Sequence, residues 1–359
     1  MNAILPAHVP SAPTKVPVRV LMVDDSAVTR SVIGGILNDA TDIELVCRAG
    51  SPDEAFAFLA RERVDIILLD HEMPGRNGLD ALPHMLDAAH DGHVIMLSSH
   101  CQRGSKTAVA ALSIGASDAL AKPASGHSGR EFAAQLLCRI RRLASARAPR
   151  DAEGGPMVLR PFPVGFRLEC VGIGASTGGI HALAELLSAG LAKPDAPILI
   201  TQHLPAAFIP HYAKQVARMC DLPVSVAREG EALRPGHIYI APGEASLSCI
   251  RDGGKVRVRL IAERDVFSSA LPSVNPMFAG MADCYGGGAL GIILTGIGRD
   301  GTAGSKALVK AGGAVIAQDE ASSTVWGMPG SAARAGLVSA CLAPADMPRY
   351  LQEQSGVGA

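Results

Sequence analysis

Aromatic residues are scarce. Phe, Trp and Tyr together make up 4% of the 359 residues, with a single Trp. Single-stranded nucleic acid is held by stacking its bases on rings, so this composition speaks against such a partner. An excess of one charge is also lacking: 33 Lys and Arg face 34 Asp and Glu, a formal net charge of −1. DNA phosphates and anionic bilayers select for a cationic surplus, so neither is an expected target, and no direct membrane insertion is expected. The longest apolar run, Gly286–Gly298 (GGGALGIILTGIG), is too short and too rich in glycine to span a bilayer. It reads as a buried strand ending in a turn. The eight cysteines are scattered singly without a Cys-x-x-Cys pair, which excludes zinc knuckles and thioredoxin-type centres. Most read as small core residues of a protein in a reducing cytoplasm. Residues 1–17 are broken by prolines and carry no secretory apolar core; they read as a disordered lead-in.

What is present is apolar and patterned. Hydrophobic residues make up 48% and charged residues 19%, a globular composition long enough for two domains. From residue 18 to 125, short apolar runs alternate with amphipathic segments: VRVLMVDD, IELVCRAG, VDIILLD, HVIMLSS and DALAKP read as strands. Helical spacing lies between them, and an arginine-rich helix follows over 128–146. Such alternation predicts an α/β fold, a doubly wound, flavodoxin-like parallel sheet with its site at the strand C-terminal ends. Residues 147–166 lose periodicity to Pro, Gly and charge and read as a linker between a first domain, 18–146, and a second, 167–350. The second domain repeats the alternation through CVGIGAS, PILITQH, HIYIAPG, ALGIILTG and GAVIAQD, and predicts a second doubly wound, mainly parallel sheet. A hairpin is expected across Asp252–Gly253–Gly254. Residues 351–359 read as a flexible tail.

In the first domain, strand ends bring Asp24, Asp25, Asp70 and Ser98 together, with Lys122 after the fifth strand. Clustered carboxylates repel unless a cation neutralises them, and a hard divalent ion such as Mg²⁺ suits oxygen ligands. Asp70 then has the position of a carboxylate nucleophile toward phosphorus, with Ser98 and Lys122 on the phosphoryl oxygens.

In the second domain, VGIGASTGGIHAL runs from strand through glycines into helix. A dinucleotide fingerprint fails, because Thr177 stands at the third glycine position and the next strand ends in Gln202 and His203 rather than an acid. A nucleophile reading fits better. Ser176 sits at the strand–helix turn, where the helix N-terminus favours a developing oxyanion. His203 ends one neighbouring strand, and Asp300 follows another. That set permits a triad: Ser176 to attack, His203 to take and return the proton, Asp300 to orient the imidazole. Each residue also has a plainer role open to it: Ser176 as a helix cap, His203 in a loop, Asp300 in a turn, with His181 on the helix surface.

The motifs VDDS, LLDHEMPGRNGLDAL, VIMLSS and AKP resemble the receiver domain of response regulators. The resemblance implies Asp70 as phospho-acceptor, Asp25 as main Mg²⁺ carboxylate, Asp24 as its helper and the Glu72 backbone carbonyl as a further ligand. It also implies a CheA-type histidine kinase as partner. Ala119 departs from the aromatic that usually swings on phosphorylation. GIGASTGG, TQHLP, PGHIYIAPG, LTGIGRDG and AQDEASSTVWGMPGSA resemble the catalytic domain of CheB-type chemotaxis protein-glutamate methylesterases. That resemblance carries the triad onto Ser176, His203 and Asp300, with backbone N–H groups near Thr177 and Ile297 as oxyanion candidates and no cofactor for the esterase. It implies hydrolysis of glutamate methyl esters on chemoreceptor cytoplasmic helices, often with glutamine deamidation, under control of a receiver that covers the site until phosphorylated. Ala270, Asn275 and Gly330 depart from the family's substrate-side residues. A different methylated target, or a phospho-switch that acts by binding alone, is the competing expectation.

Overall fold

The computed structural model describes residues 16–90, 92–98, 106–122, 129–147, 157–190, 196–263 and 270–354. The first unit runs β1 (Val18–Val23), α1 (Ala27–Asn38), β2 (Ile43–Ala49), α2 (Pro52–Leu59), β3 (Ile66–Asp70), α3 (Gly78–Ala89), β4 (His93–Ser98), α4 (Lys106–Ile114), β5 (Asp118–Ala121) and α5 (Gly129–Arg147). Its five strands are all parallel in the order β2-β1-β3-β4-β5. Helices on both faces bury the sheet, which is why its central strands are apolar throughout; every residue of β3 and β4 is buried. Helix starts follow local chemistry: Ser26, Ser51 and Asn77 each accept a backbone N–H at the N-caps of α1, α2 and α3. The strand order reverses between β1 and β3, and the crevice at that point lies at the carboxyl ends, beside Asp24 and Asp70.

The second unit runs β6 (Cys170–Ala175), α6 (Gly179–Ser188), β7 (Ile198–Gln202), α7 (Ile209–Met219), β8 (Val224–Val226), β9 (Ile238–Ile240), β10 (Ser246–Asp252), β11 (Lys255–Ile261), α8 (Val274–Tyr285), β12 (Ala289–Ile293), α9 (Thr302–Lys310), β13 (Ala314–Gln318), α10 (Met328–Arg334), β14 (Ala340–Leu342) and α11 (Met347–Gln354). Seven strands form one parallel sheet, β14-β13-β12-β6-β7-β9-β8. The edge strands β8 and β14 escape sequence reading because three residues, VSV and ACL, show no period. The expected hairpin is β10–β11, its turn closed by Gly253 and Gly254 at φ +54° and +77°, the left-handed pair that a two-residue connection needs. One sheet face packs on α6, α7 and α11, the other on α8, α9, α10 and the hairpin.

The boundaries shift from those expected. Within the expected linker, Phe162 and Phe166 pack edge-to-face at 5.2 Å, and Phe162 meets Tyr350 at 5.8 Å. Arg160 N–H bonds the Val338 carbonyl, so residues 157–166 dock on the second unit. The expected tail is helical through Gln354 in α11, with Leu351 against the core; residues 355–359, like the lead-in 1–15, fall outside the described residues. Of the seven cysteines described, only Cys170, Cys249 and Cys284 are buried, and Cys138 is exposed. The two units also touch. Val109 of α4, 1% exposed, joins the core of the second unit, while Val325 and Ile297 join the cluster of Phe132 and Leu136.

Candidate active site and acidic pocket

Ser176 leaves the end of β6 into a turn that glycine makes possible. Gly178 has φ +77°, and a Cβ there would lie 2.2 Å from Thr324 Oγ1. A Cβ on Gly296 would lie 2.7 Å from that of Ser176, so the β12 loop passes tightly under the serine. Ser176 N–H donates to the Thr295 carbonyl (3.0 Å), and the Ser176 carbonyl accepts from Gln202 Nε2 (2.8 Å). Helix α6 starts two residues later than Thr177, with Gly178 rather than a side chain at its N-cap. The Ser176 hydroxyl is therefore not spent capping a helix.

His203 follows β7, tied by its N–H to the Ala175 carbonyl (3.0 Å). Its Nε2 lies 2.8 Å from Asp300 Oδ2. Asp300 is 4% exposed and fully served: Val274 N–H also donates to Oδ2 (2.7 Å), while Ser273 Oγ (2.8 Å) and Gly301 N–H (3.0 Å) donate to Oδ1. Burial pushes the carboxyl up, but the His203 contact and the Val274 and Ser273 donors outweigh it and hold Asp300 below the usual carboxylate range. Sequence reading missed Ser273 and Val274. The available signal was SVNP, an N-cap serine opening α8, whose positive end faces the carboxylate.

Ser176, Thr177 and His203 line one cleft of about 670 Å³. Ile297 is not among its lining residues; it packs against the cluster that contains Val325 together with Phe132 and Leu136 of the first unit. The far wall of the cleft comes from the first unit: Asp118, Ala119, Gln135, Arg139 and Arg142. Arg139 pairs with Asp118 at 2.5 Å. His181, expected on a free helix surface, instead sits in the contact between units, its Nδ1 3.1 Å from the Ser113 carbonyl of α4. Asn275, one of the departures, is buried, and its amide oxygen takes the Gly304 N–H (2.9 Å), joining α8 to α9. At Gly330 a Cβ would lie 2.7 Å from the Trp326 ring, over which Arg334 stacks at 5.4 Å.

At the other site, carboxylate oxygens of Asp24, Asp25 and Asp70 lie within 4.8 Å of one another. Asp24 and Asp70 are buried, Asp25 exposed. Lys122 Nζ reaches Asp24 Oδ2 at 2.7 Å and Asp70 Oδ1 at 2.6 Å. Burial raises the Asp70 carboxyl above its ordinary range, with the neighbouring Asp24 adding to it and Lys122 opposing. Lys122 is itself raised: its burial is outweighed by the two carboxylates. One lysine against three carboxylates leaves negative charge unbalanced, and buried Asp70 Oδ1 meets Lys122 without hydrogen-bond geometry. This donor set, hard and oxygen-only, fits a divalent cation of the Mg²⁺ type. Ser98 is buried at the end of β4, and Glu72 is exposed beside Asp70.

Comparison with known proteins places these sites in context. A CheB methylesterase family model matches residues 171–351 and a response regulator receiver domain model residues 20–131. A protein-glutamate methylesterase/protein-glutamine glutaminase of Rhodospirillum centenum is 36% identical, over 94% of each chain. One from Caulobacter vibrioides is 39% identical over 90% of this chain and 95% of its own. Among solved structures, the Thermotoga maritima CheB methylesterase catalytic domain is 34% identical with a TM-score of 0.49, covering 52% of this chain and 98% of that one. Among the described residues no helix is long and apolar enough to cross a membrane. With matches to both domains in one order and relatives aligned along nearly the whole length, the chain belongs to the CheB methylesterase family, with a response-regulator receiver domain ahead of its esterase domain.

Proposed function

We propose that the chain is a phosphorylation-activated protein-glutamate methylesterase, with protein-glutamine glutaminase activity at the same site, acting on methylated chemoreceptors. The observation that carries this is the His203–Asp300 pair: Asp300 is buried and held by four donors, and His203, half-buried, opens onto the same cleft as Ser176. Ser176 Oγ attacks the ester carbonyl and forms the acyl bond. With Nε2 engaged by Asp300, His203 Nδ1 takes the serine proton and returns it to the departing methanol. Water, deprotonated by the same nitrogen, then releases the glutamate carboxylate and restores Ser176. The Thr177 N–H is the stronger oxyanion candidate, since Thr177 is among the residues that line the cleft; Ile297 would serve only through its backbone. The His203 contact and the Val274 and Ser273 donors outweigh the burial of Asp300 and keep it ionised, so that it supports the imidazolium without taking its proton.

In the receiver, Asp70 accepts the phosphoryl group from a CheA-type histidine kinase, with Ser98 and Lys122 holding its oxygens. Asp24, Asp25, Asp70 and the Glu72 carbonyl would hold Mg²⁺, which when bound offsets the carboxylate and phosphoryl charge. Ala119 carries no aromatic to swing, but Asp118 and Ala119 both line the esterase cleft, so movement of β5 reshapes the cleft onto which Ser176 opens. The receiver wall across the cleft supports control by uncovering, a population shift from closed to open.

Methanol release from methylated receptor membranes tests the reading. We expect release to require Ser176, to rise with beryllofluoride, and to lose that rise in Asp70→Asn. Activity that persists in Ser176→Ala refutes the esterase half. A specific observation favours a target other than the usual one: Gly330, where the chain departs from the family, has no room for a side chain beside Trp326, and Arg334 places a guanidinium over that ring one turn later. Release from the organism's own methylated membranes, with none from a heterologous receptor, is the result that reading expects.

A further inference from the structure

Helix α4 of the receiver packs on α6 and α7 of the esterase domain. Its apolar anchor is Val109, in one cluster with Ile209, Tyr212 and Val216 of α7. Beside Val109 lies a separate cavity of about 220 Å³, lined by Lys106 from the receiver and by His211, Lys214, Gln215 and Arg218 from α7. No acid lines it. Neither helix contains one: α4 reads KTAVAALSI and α7 reads IPHYAKQVARM. The sequence preceding α4, residues 99–105, holds none either. Lys106, Lys214 and Arg218 are exposed, and neither they nor His211 form an ion pair or side-chain hydrogen bond among the described residues.

This is a costly arrangement for two domains that contact one another. Three full positive charges converge from both sides of an interface, and like charges repel. Some exposed cations elsewhere on this chain have an acid beside them, as Arg19 has Glu62 and Arg141 has Asp42; these three have none among the described residues. A multivalent anion in the cavity reverses the sign of the interaction. Arg218 offers a planar fork, Lys106 and Lys214 compact charges, and His211 and Gln215 N–H donors, a set suited to phosphate oxygens. The cavity has room for a short phosphate chain but not for a helix of about 10 Å diameter.

We propose that this cavity is a binding site for a di- or triphosphate group that bridges receiver and esterase and holds them in the closed arrangement. Binding itself does not depend on the esterase assignment; the consequence for activity rests on the reading that the receiver covers Ser176. A ligand that contacts both domains binds the closed form and shifts the population toward it. By linkage, opening of the domains weakens the anion by the same factor that the anion resists opening. The site thus makes activation dependent on the concentration of a phosphate-rich anion.

The test is calorimetric titration of inorganic pyrophosphate into the full-length chain without Mg²⁺, in wild type, Lys106→Gln and the double variant Lys214→Gln/Arg218→Gln. All three positions are exposed, and circular dichroism checks that the variants are folded. We expect one site per chain, affinity roughly tenfold weaker in the double variant and roughly fivefold weaker in Lys106→Gln. No binding at millimolar pyrophosphate overturns the proposal. So does equal affinity in all three proteins, which would mark an adventitious ion elsewhere. Binding lost in the α7 variant but untouched in Lys106→Gln refutes the bridge. A second arm measures fluorophosphonate labelling of Ser176. Pyrophosphate should slow it severalfold in wild type and leave Lys106→Gln unaffected. Bridged binding with no effect on labelling refutes the holding role and, separately, the reading that this arrangement is the inactive one.

Discussion

Replacing Ser273 by Ala tests whether Asp300 works through the way it is held. Ser273 is fully buried; its Oγ donates to Asp300 Oδ1 at 2.8 Å and accepts the Asn275 N–H as the N-cap of α8. A hydrogen bond to an ionised group contributes about 1.5–3 kcal/mol, and a lost N-cap costs about 1 kcal/mol. Ser273→Ala should therefore destabilise the esterase domain by about 3 kcal/mol at pH 7, read as a fall in its urea midpoint. The sign with pH follows from Asp300 being held below its ordinary range. Such a carboxylate stabilises the fold above its unfolded value, roughly pH 4, and that stability is lost as pH falls through the lower folded value. The gap between wild type and Ser273→Ala should thus narrow in acid. For catalysis, Oδ1 keeps the Gly301 N–H and Oδ2 keeps His203 and Val274, so the carboxylate is loosened rather than removed. We expect about a tenfold loss in the fluorophosphonate labelling rate of Ser176, equivalent to about 1.4 kcal/mol, with substantial rescue in Ser273→Thr. Lower stability with an unchanged labelling rate would refute the positioning argument. A stability loss that stays constant down to acid pH would refute the ionic one.

Gly178→Ala should prevent the turn that presents Ser176, since φ +77° costs an L-residue about 1–2 kcal/mol and the new methyl meets Thr324 Oγ1; a lower melting temperature together with lost labelling is the expected pair of results. His181→Ala removes the 3.1 Å contact with the Ser113 carbonyl, a net interaction of about 1 kcal/mol, and should raise basal labelling of Ser176 about fivefold without beryllofluoride. Millimolar Mg²⁺ should raise the receiver's melting temperature in wild type, and chelation should reverse it. Asp25→Asn should abolish the shift, because one of the three clustered carboxylates is then neutral.

Much of the fold was legible because its strands are short apolar runs ending in chemistry. IILLD, ILITQ and ALGII become fully buried parallel strands, and the alternation with helices specifies a doubly wound sheet. The triad candidates were legible for the same reason: parallel strands end on one edge, so residues that follow β6, β7 and β12 meet wherever those strands are neighbours. Two short strands and the docking of Phe162 were not legible, because three residues carry no period and an edge-to-face contact leaves none.

The sequence by itself determined which residue types stand at the strand ends: a serine, a histidine, an aspartate, and in the other domain three acids and a lysine. Tertiary structure alone decided what surrounds them. Ser273 and Val274 reach Asp300 across 26 or more positions of chain, a distance at which no local pattern operates. The receiver wall of the cleft, the His181 contact and the basic cavity between α4 and α7 exist only because two domains, each readable alone, pack on one another. Sequence periodicity reports which side of an element is buried; it carries no record of which partner buries it.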